Sequence, residues 1–182
     1  HLAPLERIIK SAGLKLFDAV KTTTNGGSMM CFATHADNMS YDTKERKHRM
    51  LNIKIDEFDA ELDQDSTYAE FRRRVEQHRK DLVNLIDDIV YKQNKTIHLY
   101  GSSTKLNTIL EYCNIGPDKI PYAAERSVRK FDAQTLSGIK IVSEEKSRAM
   151  NPDYYLVGPY HFKKEILERE QQAIERGTKF IF

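Results

Sequence analysis

The stretch that most constrains this chain runs from Thr96 to Leu110. A short, partly apolar run, Thr96-Ile97-His98-Leu99-Tyr100, ends on Gly101, passes through Ser102, Ser103, Thr104 and Lys105, and becomes helical through Leu106, Ile109 and Leu110. Strand, small-residue turn and helix in that order form the opening unit of an α/β domain. The turn also leaves backbone N–H groups at a helix N-terminus, where orphan donors and the helix dipole attract anions. Two readings of it stay open at this level: a phosphate seat, or an ordinary strand–helix connection. Gly101 is its only glycine, so a GxGxxG fingerprint is absent, and no glycine precedes Lys105 as a P-loop requires.

The alternation continues to the C-terminus. Ile120–Ala124, Ile139–Val142, Asp153–Val157 and Thr178–Phe182 read as strands, with helices from Ser143 and over Pro159–Arg176. Strand–helix repetition with short loops predicts an α/β, Rossmann-like, mostly parallel sheet flanked by helices.

Upstream, Pro4–Ala12 reads as a short helix, and Leu14–Thr22 and Met29–Thr34 as strands joined at the hairpin signal Asn25-Gly26. This unit is too small to bury a core of its own and reads as the tail of a preceding domain. Six carboxylates lie between Asp56 and Asp65 without a glycine, which fits a solvated helix end and linker rather than a calcium loop. From Ser66 on, Tyr68, Phe71, Val75, His78, Leu82, Leu85, Ile86 and Ile89 step by three and four residues. That spacing predicts one long helix with a continuous apolar stripe, on which His78 is a core or boundary histidine and not a ligand. The resulting division is 1–40 as the end of a preceding domain, 41–94 as a helical connector after a helix–hairpin remnant, and 95–182 as the α/β domain.

In open α/β sheets, ligands collect at the carboxyl ends of the strands. Here those ends deliver Gly101 to Lys105 and Asn107, then Glu125 and Arg126 with Lys130 nearby, then Gly158, Pro159, Tyr160 and His161. Glu125 falls where a dinucleotide-binding fold places its ribose-binding acid; its alternative is a surface ion pair with Arg126 or Arg129. His161 opens a helix and can act on protons or donate to an anion. No Ser/His/Asp set and no histidine pair at zinc spacing can be assembled, so a binding cleft is expected with no catalytic residue and no metal site.

The 29 basic and 27 acidic side chains nearly cancel, and Arg72, Arg73 and Arg74 lack aromatic interleaving, so no nucleic-acid partner is expected. No apolar run is long enough to span a bilayer. Cys31 and Cys113 form neither a CxxC pair nor a disulfide framework, which suits a reducing, cytoplasmic setting. His1 is not an initiator methionine and Phe182 closes an apolar run; a piece of a longer protein is expected.

Gly101-Ser102-Ser103-Thr104-Lys105-Leu106-Asn107-Thr108 resembles the GASxKGNT-type segment of the S-adenosylmethionine-dependent C-methyltransferases that modify nucleotide-linked deoxysugars. Pro152-Asp153-Tyr154 with Gly158-Pro159-Tyr160-His161-Phe162 is similar to that family's PDY…LPWHF. Asn25-Gly26-Gly27-Ser28 matches its GGS hairpin, and Gly177-Thr178-Lys179-Phe180-Ile181 its GGKFI close. Leu106 stands where the family has a second glycine, Tyr160 where it has tryptophan, and Arg126–Gly138 lacks its PGT wording. Leu106 is expected to reduce the close approach of a phosphate to the turn.

The resemblance implies a three-part parent: a zinc-binding region, a domain that binds S-adenosylmethionine, and a C-terminal Rossmann-like domain. The parent reaction removes a proton beside a carbonyl and passes a methyl group to the enolate. This chain would supply the substrate side, through Gly101, Ser102, Ser103, Thr104, Lys105, Asn107, Glu125, Arg126, Tyr160 and His161. It would bind neither S-adenosylmethionine nor zinc itself and would be inactive alone. Its partners would be the nucleotide-linked sugar or a similar small molecule and the N-terminal domains. The alternatives are a stand-alone nucleotide-binding module and a purely structural one.

Overall fold

The strand Ile97–Tyr100 has all four side chains buried and so needs cover on both faces, and the C-terminal half of the chain is built around it. The computed structural model describes residues 1–182, which pack as two units, His1–Arg73 and Arg74–Phe182.

In the first unit, helix α1 (Leu2–Ser11) leads into strands β1 (Leu14–Thr22) and β2 (Ser28–His35), then helix α2 (Lys44–Asp59). β1 and β2 form a two-stranded antiparallel sheet with a register shift between Leu16 and Asp18. Thr43 caps α2 by accepting from the Arg46 N–H. Leu2, Ala19, Met50 and Ile53 make the core, so α2 packs with α1 and the hairpin. Beside it the buried Asp18 carboxylate accepts from the Arg49 Nε at 3.0 Å. Arg49 holds that carboxyl below its ordinary range against the opposing effect of burial.

Helix α3 (Asp65–Asp87) carries the chain across the division and ends in a π-helical turn, Asp88–Lys92. The second unit then runs β3 (Ile97–Tyr100), α4 (Thr104–Cys113), β4 (Tyr122–Glu125), β5 (Lys140–Ser143), α5 (Glu144–Ala149), β6 (Tyr154–Val157), α6 (Lys163–Arg169), α7 (Gln171–Glu175) and β7 (Lys179–Ile181). The five strands lie in the order β5-β4-β3-β6-β7, all neighbours parallel, as the alternation predicts. Successive residues of β3 serve opposite faces. Ile97 and Leu99 join Leu82 and Ile86 of α3 and Leu106 and Leu110 of α4. Tyr100 joins Tyr155, Val157 and Ile166 on the other face.

Two expectations are corrected. The apolar stripe of α3 is not continuous: Leu82 and Ile86 are buried, with Ile89 in the turn that follows, while Tyr68, Phe71 and Leu85 are exposed. His78 is exposed as well and is neither core nor boundary. Only the last turns of α3 have sheet side chains to pack against, and helical spacing alone does not report where a core stops.

The second correction concerns Pro159–Arg176, which is not one helix. A 3-10 turn, Tyr160–Phe162, precedes α6, and Glu170 breaks α6 from α7 at φ −99°, ψ 22°. Its carboxylate is drawn inward, where it accepts from the Tyr100 hydroxyl at 2.7 Å and from Arg148 at 2.6 and 2.9 Å.

Candidate functional site

From β3 the chain steps to β4 and β5 on one side, then returns to β6 and β7 on the other. The carboxyl ends of β3 and β6 therefore flank the topological switch point, where open α/β sheets form a crevice. β3 delivers Gly101 and the turn to α4 there; β6 delivers Gly158, Pro159, Tyr160 and His161.

Gly101 sits at φ +82°, a conformation that glycine adopts without strain. Its N–H donates to the Ala124 carbonyl at 2.7 Å. A Cβ here would lie 3.2 Å from the Pro159 ring, so the two turns meet closely. Ser103 caps α4, its hydroxyl accepting from the Leu106 N–H at 3.2 Å. Asn107 ties two loops, donating from Nδ2 to the Ser103 carbonyl and accepting at Oδ1 from the Leu136 N–H.

Leu106 shows what its departure from the resembled motif does. A Cβ placed on Gly158 would lie 2.8 Å from Leu106 Cδ2 and 3.0 Å from its Cβ. The resembled segments carry glycine at the first position and leucine at the second; here leucine and glycine have changed places. The space between α4 and the end of β6 holds one leucine side chain, supplied from the helix in this chain.

Glu125 is brought to the Gly101 turn and is the hub of the site. Its Oε2 accepts from the Ser102 hydroxyl at 2.6 Å, the Ser102 N–H at 3.2 Å and Lys130 Nζ at 3.0 Å. Its Oε1 accepts from the N–H groups of Arg126 and Ser127 at 2.9 and 3.1 Å. Its ion pair is with Lys130, not with the Arg126 or Arg129 that stood as the alternative to a ribose-binding role. Burial by itself would raise this carboxyl, but the Ser102 hydroxyl, the Ser127 amide and Lys130 outweigh it and hold it at about 2. With five protein donors on two oxygens, its chemistry is to set the turn.

The remaining candidates divide by exposure. Thr104, Lys105, Arg126 and Tyr160 are exposed. His161 is half-buried, its ring 4.3 Å from that of Phe162, and its Nδ1 is buried with no hydrogen-bond partner. A concavity of about 700 Å³ adjoins the turn, reached by Lys105 and Tyr160 and lined mainly by apolar side chains of α3, α4, β6 and β7. No sequence signal marked it, because it draws residues from four elements.

A second polar cluster, on the opposite face of the sheet, was also missed. Tyr100, Glu144, Arg148, Arg169 and Glu170 form a charge-balanced network. Beside it, Ser147 Oγ bridges His98 Nδ1 at 2.8 Å and the Tyr155 hydroxyl at 3.0 Å. Burial pushes His98 down to about 4, so it is neutral at physiological pH. Tyr100 pairs with residues roughly 70 positions away, a separation that no local pattern reports.

Neither group expected of the parent protein fits this chain. No three His, Cys, Asp or Glu side chains converge into a metal-holding group. The β3–α4 turn has one glycine, pressed on Pro159, and the acid after β4 is saturated by protein donors. No helix is long and apolar enough to cross a membrane.

A family model described as the C-methyltransferase C-terminal domain matches residues 23–182. The chain is also similar to C-methyltransferase NovU of Streptomyces niveus, with 30% identity over 182 residues. That match covers 99% of this chain and 42% of NovU, so the chain spans under half the length of this relative.

Proposed function

The chain belongs to the C-methyltransferase C-terminal domain family, and on that premise we propose that it is the substrate-side domain of an S-adenosylmethionine-dependent C-methyltransferase. Its substrate is a nucleotide-linked keto-deoxysugar or a similar keto compound, in a reducing, cytoplasmic setting. Residues 1–40 belong with the domain that holds the methyl donor, 41–94 connect, and 95–182 hold the substrate. Zinc and S-adenosylmethionine bind in the N-terminal parts of the parent, and the chain alone is inactive.

The observation that carries this reading is the meeting of the Gly101 turn with Gly158–His161 at the switch point of the sheet. Thr104 and Lys105 at the start of α4, with Arg126 and Tyr160, offer exposed donors and charge to a diphosphate. His161 brings a buried ring nitrogen that still lacks a partner. Glu125, Ser102, Ser103 and Asn107 act through the backbone they hold: they position the turn.

Calorimetric titration of the full-length protein with a nucleoside diphosphate sugar tests this. Lys105→Ala should weaken that ligand about tenfold, the worth of one charge-assisted contact, and leave S-adenosylmethionine affinity unchanged. Equal nucleotide-sugar affinity in the variant would remove the substrate-side role.

A further inference from the structure

The ion pairs of α3 join Glu70 to Arg73 and Asp87 to Lys119. Arg79 and Lys80, adjacent on the same helix, take part in none. Both line a concavity of about 740 Å³ between α3, the C-terminal end of α4 and the loop that leads to β4. That volume suits a small molecule. α4 starts at the carboxyl end of β3 and runs back along the sheet, so its last residues, Tyr112 and Cys113, lie toward the amino ends of the strands. This concavity shares no lining residue with the one beside the Gly101 turn.

The fold fixes its parts. The Arg79 guanidinium lies over the Tyr112 ring, 5.3 Å from the centroid. A guanidinium held by its face keeps its N–H edges free for a bidentate acceptor. Lys119 reaches in from the loop with its side chain 15% exposed, held by Asp87 at 2.5 Å. Its charge is matched there, so it adds donors and not net charge. Glu76 is the lining's one carboxylate, against the two unmatched cations. The C-terminal end of α4 does not offset them: its Leu110 and Glu111 carbonyls already accept from the Ile115 and Asn114 N–H groups.

We propose that this concavity is a second anion site, one that takes the phosphate group of a small molecule. A carboxylate would answer one of the two unmatched cations. A phosphate monoester, with close to two negative charges at neutral pH, answers both. The Arg79 edge binds two of its oxygens and the Lys80 ammonium a third. Val83 and the Tyr112 ring offer an apolar wall to the rest of the molecule. The site is independent of the substrate-side reading above, because none of the residues that carry that reading belongs to it.

Inorganic phosphate is the probe, added to the full-length protein at constant ionic strength, with affinity read by calorimetry and position by hydrogen exchange. Exchange should slow in peptides spanning residues 79–84 and 112–119. Arg79→Gln combined with Lys80→Gln should weaken phosphate roughly tenfold or more, the worth of one or two charge-assisted contacts. Both side chains are exposed, and an unchanged melting temperature establishes that the variant folds. Lys105→Ala, at the other end of the sheet, should leave the protection of these peptides as it is. Equal phosphate affinity in the double variant overturns the site. So does protection that appears around residues 101–105 alone, or no phosphate binding at all. Acetate giving the same protection at the same concentration overturns the assignment to phosphate.

Discussion

At the level of single residues the site is governed by who satisfies whom. Gly101 was legible from sequence because a strand-to-helix turn advertises itself locally through small residues and a cap. Glu125 was legible as important, but its partners were not. Neighbours in sequence suggested Arg126 or Arg129, whereas the 3-10 turn Val128–Lys130 presents Lys130 to the carboxylate instead. Gly158 carries the most direct residue-level prediction. Gly158→Ala should destabilise the protein by about 1–3 kcal/mol, as overpacking does, because Leu106 is buried and has little room to withdraw. Combined with Leu106→Ala, the two costs should be clearly less than additive in urea denaturation, since each relieves the other. Additive costs would mean that the two positions do not share the space described.

Among the elements, the parallel sheet and its flanking helices were readable because each strand is a short apolar run bounded by turn residues. The single helix over Pro159–Arg176 was misread because its break is imposed from a distance. Glu170 has ordinary helical neighbours; the cause lies in Tyr100 and Arg148, on other elements. Its side chain is 1% exposed and ties the α6–α7 junction to α5 and β3. Glu170→Gln keeps the size and removes the charge, leaving Glu144 alone to face Arg148 and Arg169. The expected loss is about 2–4 kcal/mol, reduced from the fully buried case because both guanidinium groups are partly exposed. Hydrogen exchange should show the loss concentrated in α5, α6 and α7. A uniform effect across the unit would count against a local clamp. The apolar stripe of α3 failed for a related reason: periodicity describes a helix, and the sheet beneath it decides which turns are covered.

At the scale of the whole molecule these groups set how stability follows pH. His98 binds its proton at about 4 when folded and near 6.5 when unfolded, so stability is full above 6.5 and falls as pH drops toward 4. Glu125 is held at about 2 against an ordinary 4.5, which is worth on the order of 3 kcal/mol at neutral pH and is lost between 4.5 and 2. Acid melting curves should therefore decline in two stages. His98→Gln should flatten the first and Glu125→Gln should make the second shallower, while also lowering stability at pH 7. A wild-type profile flat from pH 6.5 to 4 would contradict the buried neutral imidazole.

The exchanged leucine and glycine reach beyond this one chain. If one volume is filled from either the helix or the strand end, related sequences should vary at these two positions together. An alignment of the family would then show a large residue at one position coupled to a small one at the other, and few members with leucine at both. A lineage could cross from one arrangement to the other most safely through the doubly small intermediate, which leaves a hole but no clash.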